Sequence, residues 1–303
     1  MDLELINDAI NGDRRSLART LSAIENGTIN IKDVQQNVED TNKTSTDNWQ
    51  SIAITGAPGV GKSCLIDKLL SIWAGSGLRI ALLAIDPSSP RTGGALLGDR
   101  VRISSIDDES LKENIYIRSI ATRKSSGNVP LIVADMIEFL HIAGWERVVI
   151  ETVGSGQSEV RCAAIADRIV VVEGPARGDG VQAEKAGLLE LADAVIVNKS
   201  DLNGAEKHAE ELLESFELGL GDAPPVMLTS ALNETGISEA ASVLLDLPDS
   251  GRSVRARWRE RLLAHYERKI LEAPDLDKIL SSLAIGSISI DEAINILGGQ
   301  KNE

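Results

Sequence analysis

A chain of 303 residues with 43% hydrophobic content is long enough for one full α/β domain plus smaller additions, and at 3% aromatic its core has to be mainly aliphatic. With 31 Lys and Arg against 46 Asp and Glu, the net charge of −15 argues against broad nucleic-acid or acidic-membrane binding, while leaving room for a local phosphate site. No apolar run approaches the roughly 20 residues of a membrane span, the start Met1-Asp-Leu-Glu lacks signal-peptide character, and the only cysteines, Cys64 and Cys162, argue against a disulfide or metal cluster, so a cytoplasmic protein is expected.

Residues 1–47 read as a helical extension. Leu3, Leu5, Ile6 and Ile10, then Leu17, Leu21 and Ile24, recur at helical spacing, Gly27 separates them from Ile31–Val34, and 40–47 is a polar linker. Over 48–250 strands and helices alternate. Strands are expected at 51–55, 79–86, 114–119, 146–151, 168–173, 194–198 and 225–229, which predicts an α/β fold with a mostly parallel, doubly wound sheet and sites at strand C-termini. Residues 251–303 turn helical again, with a long charged amphipathic helix to Leu271 and shorter ones over 274–284 and 290–297. No internal repeat or low-complexity tract is evident. His141, His208 and His265 are scattered and read as surface or packing residues.

Between the first strand and a helix lies Gly56-Ala-Pro-Gly59-Val60-Gly61-Lys62-Ser63, the phosphate-loop pattern. Its glycines let backbone N–H groups close around a polyanion, Lys62 can reach the β- and γ-phosphates, and the Ser63 hydroxyl can ligate Mg²⁺. Gly59, Val60, Gly61, Lys62, Ser63 and Cys64 are the candidate nucleotide-binding residues here. Asn198-Lys199-Ser200-Asp201 follows another apolar strand. Its Asp carboxylate can accept from guanine N1 and N2, and the Lys199 stem can lie over the base. A site built this way leaves polar groups unpaired with adenine. Thr229-Ser230-Ala231 could add a backbone contact to guanine O6.

Three further segments follow strands. Asp86-Pro-Ser-Ser-Pro-Arg91-Thr-Gly-Gly94, with Gly98-Asp99-Arg100, offers carboxylates for Mg²⁺ and its waters, or is simple turn chemistry. Glu151-Thr-Val-Gly154-Ser-Gly-Gln157-Ser-Glu159 could position water or an outer Mg²⁺ ligand, with a glycine N–H near the γ-phosphate. Otherwise it caps a helix over 157–166. Glu173 to Lys185 carries Gly174, Gly178 and Gly180 and suits a switch ordered by a γ-phosphate.

Taken together, these motifs closely resemble the MeaB/MMAA/ArgK family of P-loop GTPases over roughly residues 1–275. The resemblance implies a GTP-hydrolysing chaperone of an adenosylcobalamin-dependent acyl-CoA mutase, with Mg²⁺ and GTP or GDP as ligands. It implies that Lys62 and Glu151 are catalytic, that Ser63, Asp86 and Asp99 serve the metal, and that Asn198 and Asp201 read guanine. Gly154, Gln157, Asp179, Gln182 and Lys185 are the candidate switch and coupling residues. A homodimer through the C-terminal arm is also implied, with Val254, Trp258, Leu262 and Leu263 as its apolar stripe. The alternative is that this stripe packs on the chain's own nucleotide domain. Cobalamin binding by the chain itself is not expected, since no Asp-x-His-x-x-Gly motif occurs. Departures from the family pattern at Asp179-Gly180-Val181-Gln182, at 122–129 and beyond about 275 leave the mutase open among methylmalonyl-, isobutyryl-, ethylmalonyl- and 2-hydroxyisobutyryl-CoA mutases. The competing readings are a small-molecule kinase of the ArgK label, a nickel metallochaperone GTPase and a non-hydrolysing interaction protein.

Overall fold

The computed structural model describes residues 2–38, 49–86, 108–121, 132–152, 161–175, 183–217, 223–248, 254–271 and 273–298. Asp2, Asp13 and Asn30 accept from backbone N–H groups at the starts of α1 (Leu3–Ile10), α2 (Arg14–Glu25) and α3 (Ile31–Asn37). Each cap satisfies a donor that has no partner within its helix.

Seven strands follow: β1 (Ser51–Thr55), β2 (Ile80–Asp86), β3 (Ile115–Ala121), β4 (Arg147–Glu151), β5 (Arg168–Glu173), β6 (Ala194–Asn198) and β7 (Val226–Thr229). They form one sheet in the order β3-β2-β4-β1-β5-β6-β7, every pairing parallel. All seven were expected, to within two residues at either end. The helices that flank them are α4 (Lys62–Gly75), α5 (Ile132–Ile142), α6 (Ala183–Leu191), α7 (Ala205–Glu217) and α8 (Ile237–Leu245).

The strands are apolar without alternation because both faces of the sheet are covered. Ala53, Leu83, Val148 and Ile150 pack toward α2, α3 and α5. Their neighbours Ile52, Ile54, Leu82 and Val149 pack toward α4 and α8. Trp49 and Trp73, edge to face at 6.3 Å, donate their indole N–H groups to the carbonyls of Leu244 and Ala241 on α8.

The N-terminal helices belong to the same packed body. Leu17, Leu21, Ile24 and Val34 are buried in one cluster with Phe139 and Leu140 of α5, each such side chain stabilising by about 1.5–3 kcal/mol. Arg118 on edge strand β3 holds α2 through Glu25 at 2.6 Å, Ser22 Oγ at 3.1 Å and the Ala18 carbonyl at 3.1 Å.

A helix over 157–166 was expected. In its described part the structure has one 3₁₀ turn, Cys162–Ala164. Asp167 then ends it, accepting from the N–H groups of Gln50 and Ser51 and so bringing the chain into β5.

Three helices complete the described chain: α9 (Val254–Leu271), α10 (Leu276–Ala284) and α11 (Ile290–Leu297). The first rests on the 3₁₀ turn, with Ala264 buried and Glu267 paired to Arg161. The apolar stripe expected along this helix is Val254, Trp258, Leu262 and Leu263. All four are exposed, Trp258 at 63%. Among the described residues no helix is long and apolar enough to cross a membrane.

Candidate nucleotide site

The site forms where the sheet order reverses, at the C-terminal ends of β1, β4, β5 and β6. Parallel α/β sheets open a crevice at that point. Chain direction there depends on two glycines. Gly56, directly after β1, has φ of +141°, and a Cβ on it would lie 2.0 Å from the Val172 carbonyl oxygen of β5. Gly61 begins α4 in the left-handed region at φ +95°, and a Cβ there would lie 2.5 Å from Asn198 Nδ2. The loop is therefore seated on two strands with no room for a side chain at either position. Gly56→Ala is expected to destabilise the fold by about 3 kcal/mol or more, because the opposing atom is backbone and the φ is strained. A urea midpoint equal to wild type would contradict this.

Lys62 is buried at the first turn of α4, and its Nζ donates to the carbonyls of Gly56 at 2.6 Å and Ala57 at 3.1 Å. The ammonium is thus held over the loop, at the positive end of a helix where anions are favoured. Val60 is nearly buried and Cys64 is exposed one residue beyond Ser63. Ser63 Oγ donates to Glu151 Oε1 at 2.7 Å. Glu151 is 5% exposed at the end of β4, and its register partner on β2 is Ala84, two residues before Asp86. A hydroxyl and a carboxylate in contact make a hard-oxygen donor pair that fits Mg²⁺.

The base-reading segment is bonded directly to the phosphate loop. Asn198 donates through Nδ2 to the Val60 carbonyl at 2.9 Å, and Lys199, at φ +63°, donates through Nζ to the Gly59 carbonyl at 2.6 Å. Asn198 Oδ1 accepts from Thr229 Oγ1 and the Ala231 N–H, both at 3.1 Å. Asp201 Oδ1 accepts from Ser230 Oγ at 2.5 Å. The N–H of Ser230 is bonded to the Thr235 carbonyl. In the segment expected to contact guanine O6, the Ser230 N–H thus closes its own loop and the Ala231 N–H joins it to Asn198.

Of the sequence candidates, the structure brings together Gly59, Val60, Gly61, Lys62, Ser63, Glu151, Asn198, Lys199, Asp201, Ser230 and Ala231. Asp99, Gly154, Gln157, Asp179 and Gln182 lie outside the described residues, and Lys185 falls in α6. Three contacts escaped sequence reasoning. Thr229 fixes the Asn198 amide, the Thr152 hydroxyl donates to Thr55 Oγ1 at 2.8 Å to tie the ends of β4 and β1, and Val172 supplies the wall against Gly56. A lone hydroxyl or valine at a strand end carries no sequence signal.

A phosphate loop between β1 and α4, bonded to a base-reading loop after β6, defines a P-loop nucleotide-binding protein of the GTPase type. Residues 17–267 match the family described as methylmalonyl Co-A mutase-associated GTPase MeaB, and the chain belongs to that family. A putative GTPase of Pyrococcus abyssi is 40% identical over 242 residues, covering 78% of this chain and 72% of that protein. The fused isobutyryl-CoA mutase of Paraburkholderia xenovorans is 33% identical over 235 residues, covering 74% of this chain but 18% of that much longer protein. A solved structure titled LAO/AO transport system kinase shares the fold at a TM-score of 0.62 and 21% identity, covering 98% of this chain and 96% of that one.

Proposed function

We propose that this chain is a Mg²⁺-dependent GTPase that serves an adenosylcobalamin-dependent acyl-CoA mutase, gating cofactor loading and protecting or reactivating the enzyme. The observation that carries this reading is the relative in which a segment like this chain is fused to isobutyryl-CoA mutase, in a family described as mutase-associated. Isobutyryl-CoA mutase and its methylmalonyl-, ethylmalonyl- and 2-hydroxyisobutyryl-CoA counterparts are the partner class. The cobalamin belongs to the partner. The likeness to a structure titled a transport kinase supports the fold alone.

Phosphoryl transfer of this type is positioning plus charge stabilisation. Lys62, held over the loop by the Gly56 and Ala57 carbonyls, presents its ammonium to the β- and γ-phosphate oxygens. Ser63, Asp86 and Asp99 hold Mg²⁺, which when bound neutralises phosphate charge. Glu151, in contact with Ser63, orients the attacking water or the metal's outer shell. Asn198 locks the base loop to the phosphate loop, Lys199 covers the base and Asp201 reads it. The segments around Gly154–Gln157 and Asp179–Lys185 pass the state of the nucleotide to the mutase. The protein works in the cytoplasm as a homodimer, joined through its C-terminal helices.

The test pairs GTP turnover with and without a purified mutase of this class. Wild type is expected to be slow alone and stimulated by the mutase. Lys185→Ala keeps its basal rate and loses the stimulation, whereas Glu151→Gln binds GTP but hydrolyses it about 10²-fold more slowly in either condition. No stimulation by any of the four mutases would overturn the partner assignment. Normal turnover by Glu151→Gln would remove the role of that residue.

A further inference from the structure

The edge of the sheet opposite the nucleotide site carries a second cluster of charge, one that the nucleotide chemistry does not use. Arg79 directly precedes β2, Glu113 lies two residues before β3 and Trp145 two before β4, while Arg14 opens α2. The three strands start level with one another, Ile80 lying beside both Ile115 and Arg147. The residues just before them therefore gather at one edge, and α2 lies against it.

Trp145 is 2% exposed, and two guanidinium groups share its ring. The Arg79 guanidinium carbon is 4.8 Å from the ring centroid and that of Arg14 is 5.9 Å away. Arg14 lies equally close to the Tyr116 ring. A cation over an aromatic face is attracted by it, but a ring has no net charge with which to neutralise the cation.

Hydrogen bonding uses only part of these two side chains. Arg14 donates through Nη1 to the Lys112 carbonyl and through Nη2 to the Ile115 carbonyl, which leaves three of its five N–H donors. Arg79 is placed by its backbone: its N–H donates to Glu146 Oε2 at 3.0 Å, and its carbonyl accepts from the Glu146 and Arg147 N–H groups. Its guanidinium lies over Gly144, where a Cβ would stand 3.0 Å from Nη1. Among the described residues neither guanidinium pairs with a carboxylate.

Both side chains are partly buried and line one cleft of about 260 Å³ that opens to solvent. Ala9 and Leu17, at 1% and 2% exposed, give it an apolar wall, and Glu113, exposed, is the single acid in its lining. Two cations thus face one cleft against one carboxylate, in a chain whose net charge is −15. Like charges beside an apolar wall repel more strongly than in open water. An anion accepting from both relieves that repulsion, and the planar fork of arginine matches the oxygens of a carboxylate or a phosphate.

We infer that this cleft is a binding site for a small oxyanion, a carboxylate or phosphate group held by Arg14 and Arg79 beside the Trp145 ring. Arg14 belongs to α2, whereas Arg79 and Trp145 belong to the edge of the sheet, so the bound anion joins the N-terminal helices to the nucleotide domain. The site is separate from the phosphate loop and depends neither on GTP hydrolysis nor on a mutase.

Trp145 is its own reporter. The full chain, labelled with ¹⁵N and saturated with GDP and Mg²⁺ so that the phosphate loop is filled, is titrated with inorganic phosphate in one arm and acetate in the other. Chloride holds the ionic strength constant. The indole N–H signal of Trp145, assigned with Trp145→Phe, is expected to shift saturably while those of Trp49, Trp73 and Trp258 stay in place. The dissociation constant is expected on the order of 1 mM, the scale of a few charge-assisted hydrogen bonds. Saturation with phosphate alone identifies a phosphoryl ligand, and saturation with acetate a carboxylate. Arg79→Gln weakens binding at least about tenfold. Glu113→Gln strengthens it about twofold or more by removing a like charge from the rim, a gain that a damaged fold would not produce. A Trp145 signal that stays fixed in both arms, or drifts without saturating together with the other three indoles, overturns the site. Saturable binding that Arg79→Gln leaves unchanged overturns it as well.

Discussion

Lys62→Ala is expected to lower GTP turnover by at least about 10²–10³-fold, the scale on which one preorganised donor to developing charge acts. The ammonium is buried at the first turn of α4 and held by two loop carbonyls, Gly56 and Ala57, so its position is set before a phosphate arrives. Flexibility therefore subtracts little from its effect. A lysine at this point serves both phosphate binding and charge neutralisation, so affinity falls together with rate. Single-turnover rates at saturating nucleotide separate the two, and Lys62→Arg is not expected to rescue, because the bulkier planar guanidinium cannot take the same two carbonyls in a loop this close. Turnover by Lys62→Ala within tenfold of wild type would show that the charge is supplied elsewhere.

The sheet and the phosphate loop were legible because their signals are local. A strand buried on both faces is an uninterrupted apolar run, and seven such runs gave seven strands. The glycines of the phosphate loop declare a backbone that no other residue can follow, as Gly56 and Gly61 show. Contacts across the sequence were less legible. Nothing in Asn198 alone says that its amide clamps the Val60 carbonyl 138 positions earlier, or that the Ser230 N–H closes its own loop on Thr235 while the Ala231 N–H bonds Asn198 Oδ1. The N-terminal helices read as an extension, yet Arg118 and the α5 surface bind them into the main core.

Asp201→Asn is expected to exchange guanine for xanthine specificity. Asp201 is exposed at the loop after β6, and Ser230 Oγ fixes its Oδ1 at 2.5 Å, so one oxygen is oriented by the protein and the carboxylate is aimed before the base binds. Guanine presents N1–H and an exocyclic N2 amine, two donors to one anion. Each hydrogen bond to a charged group contributes about 1.5–3 kcal/mol. An asparagine still accepts at Oδ1, from Ser230 as before, but sets an NH₂ against the guanine amine, donor against donor. Losing both charged bonds corresponds to about 10²–10⁴-fold in GTP affinity. Xanthine replaces that amine with a carbonyl oxygen, which accepts from the new amide, so XTP gains what GTP loses. The phosphate loop is untouched, and XTP binding by the variant serves as its own control for folding. Calorimetry with GTP, XTP and ATP on both proteins reads the exchange directly. Wild type that binds ATP as tightly as GTP, or a variant that keeps wild-type GTP affinity, would mean that Asp201 does not read the base.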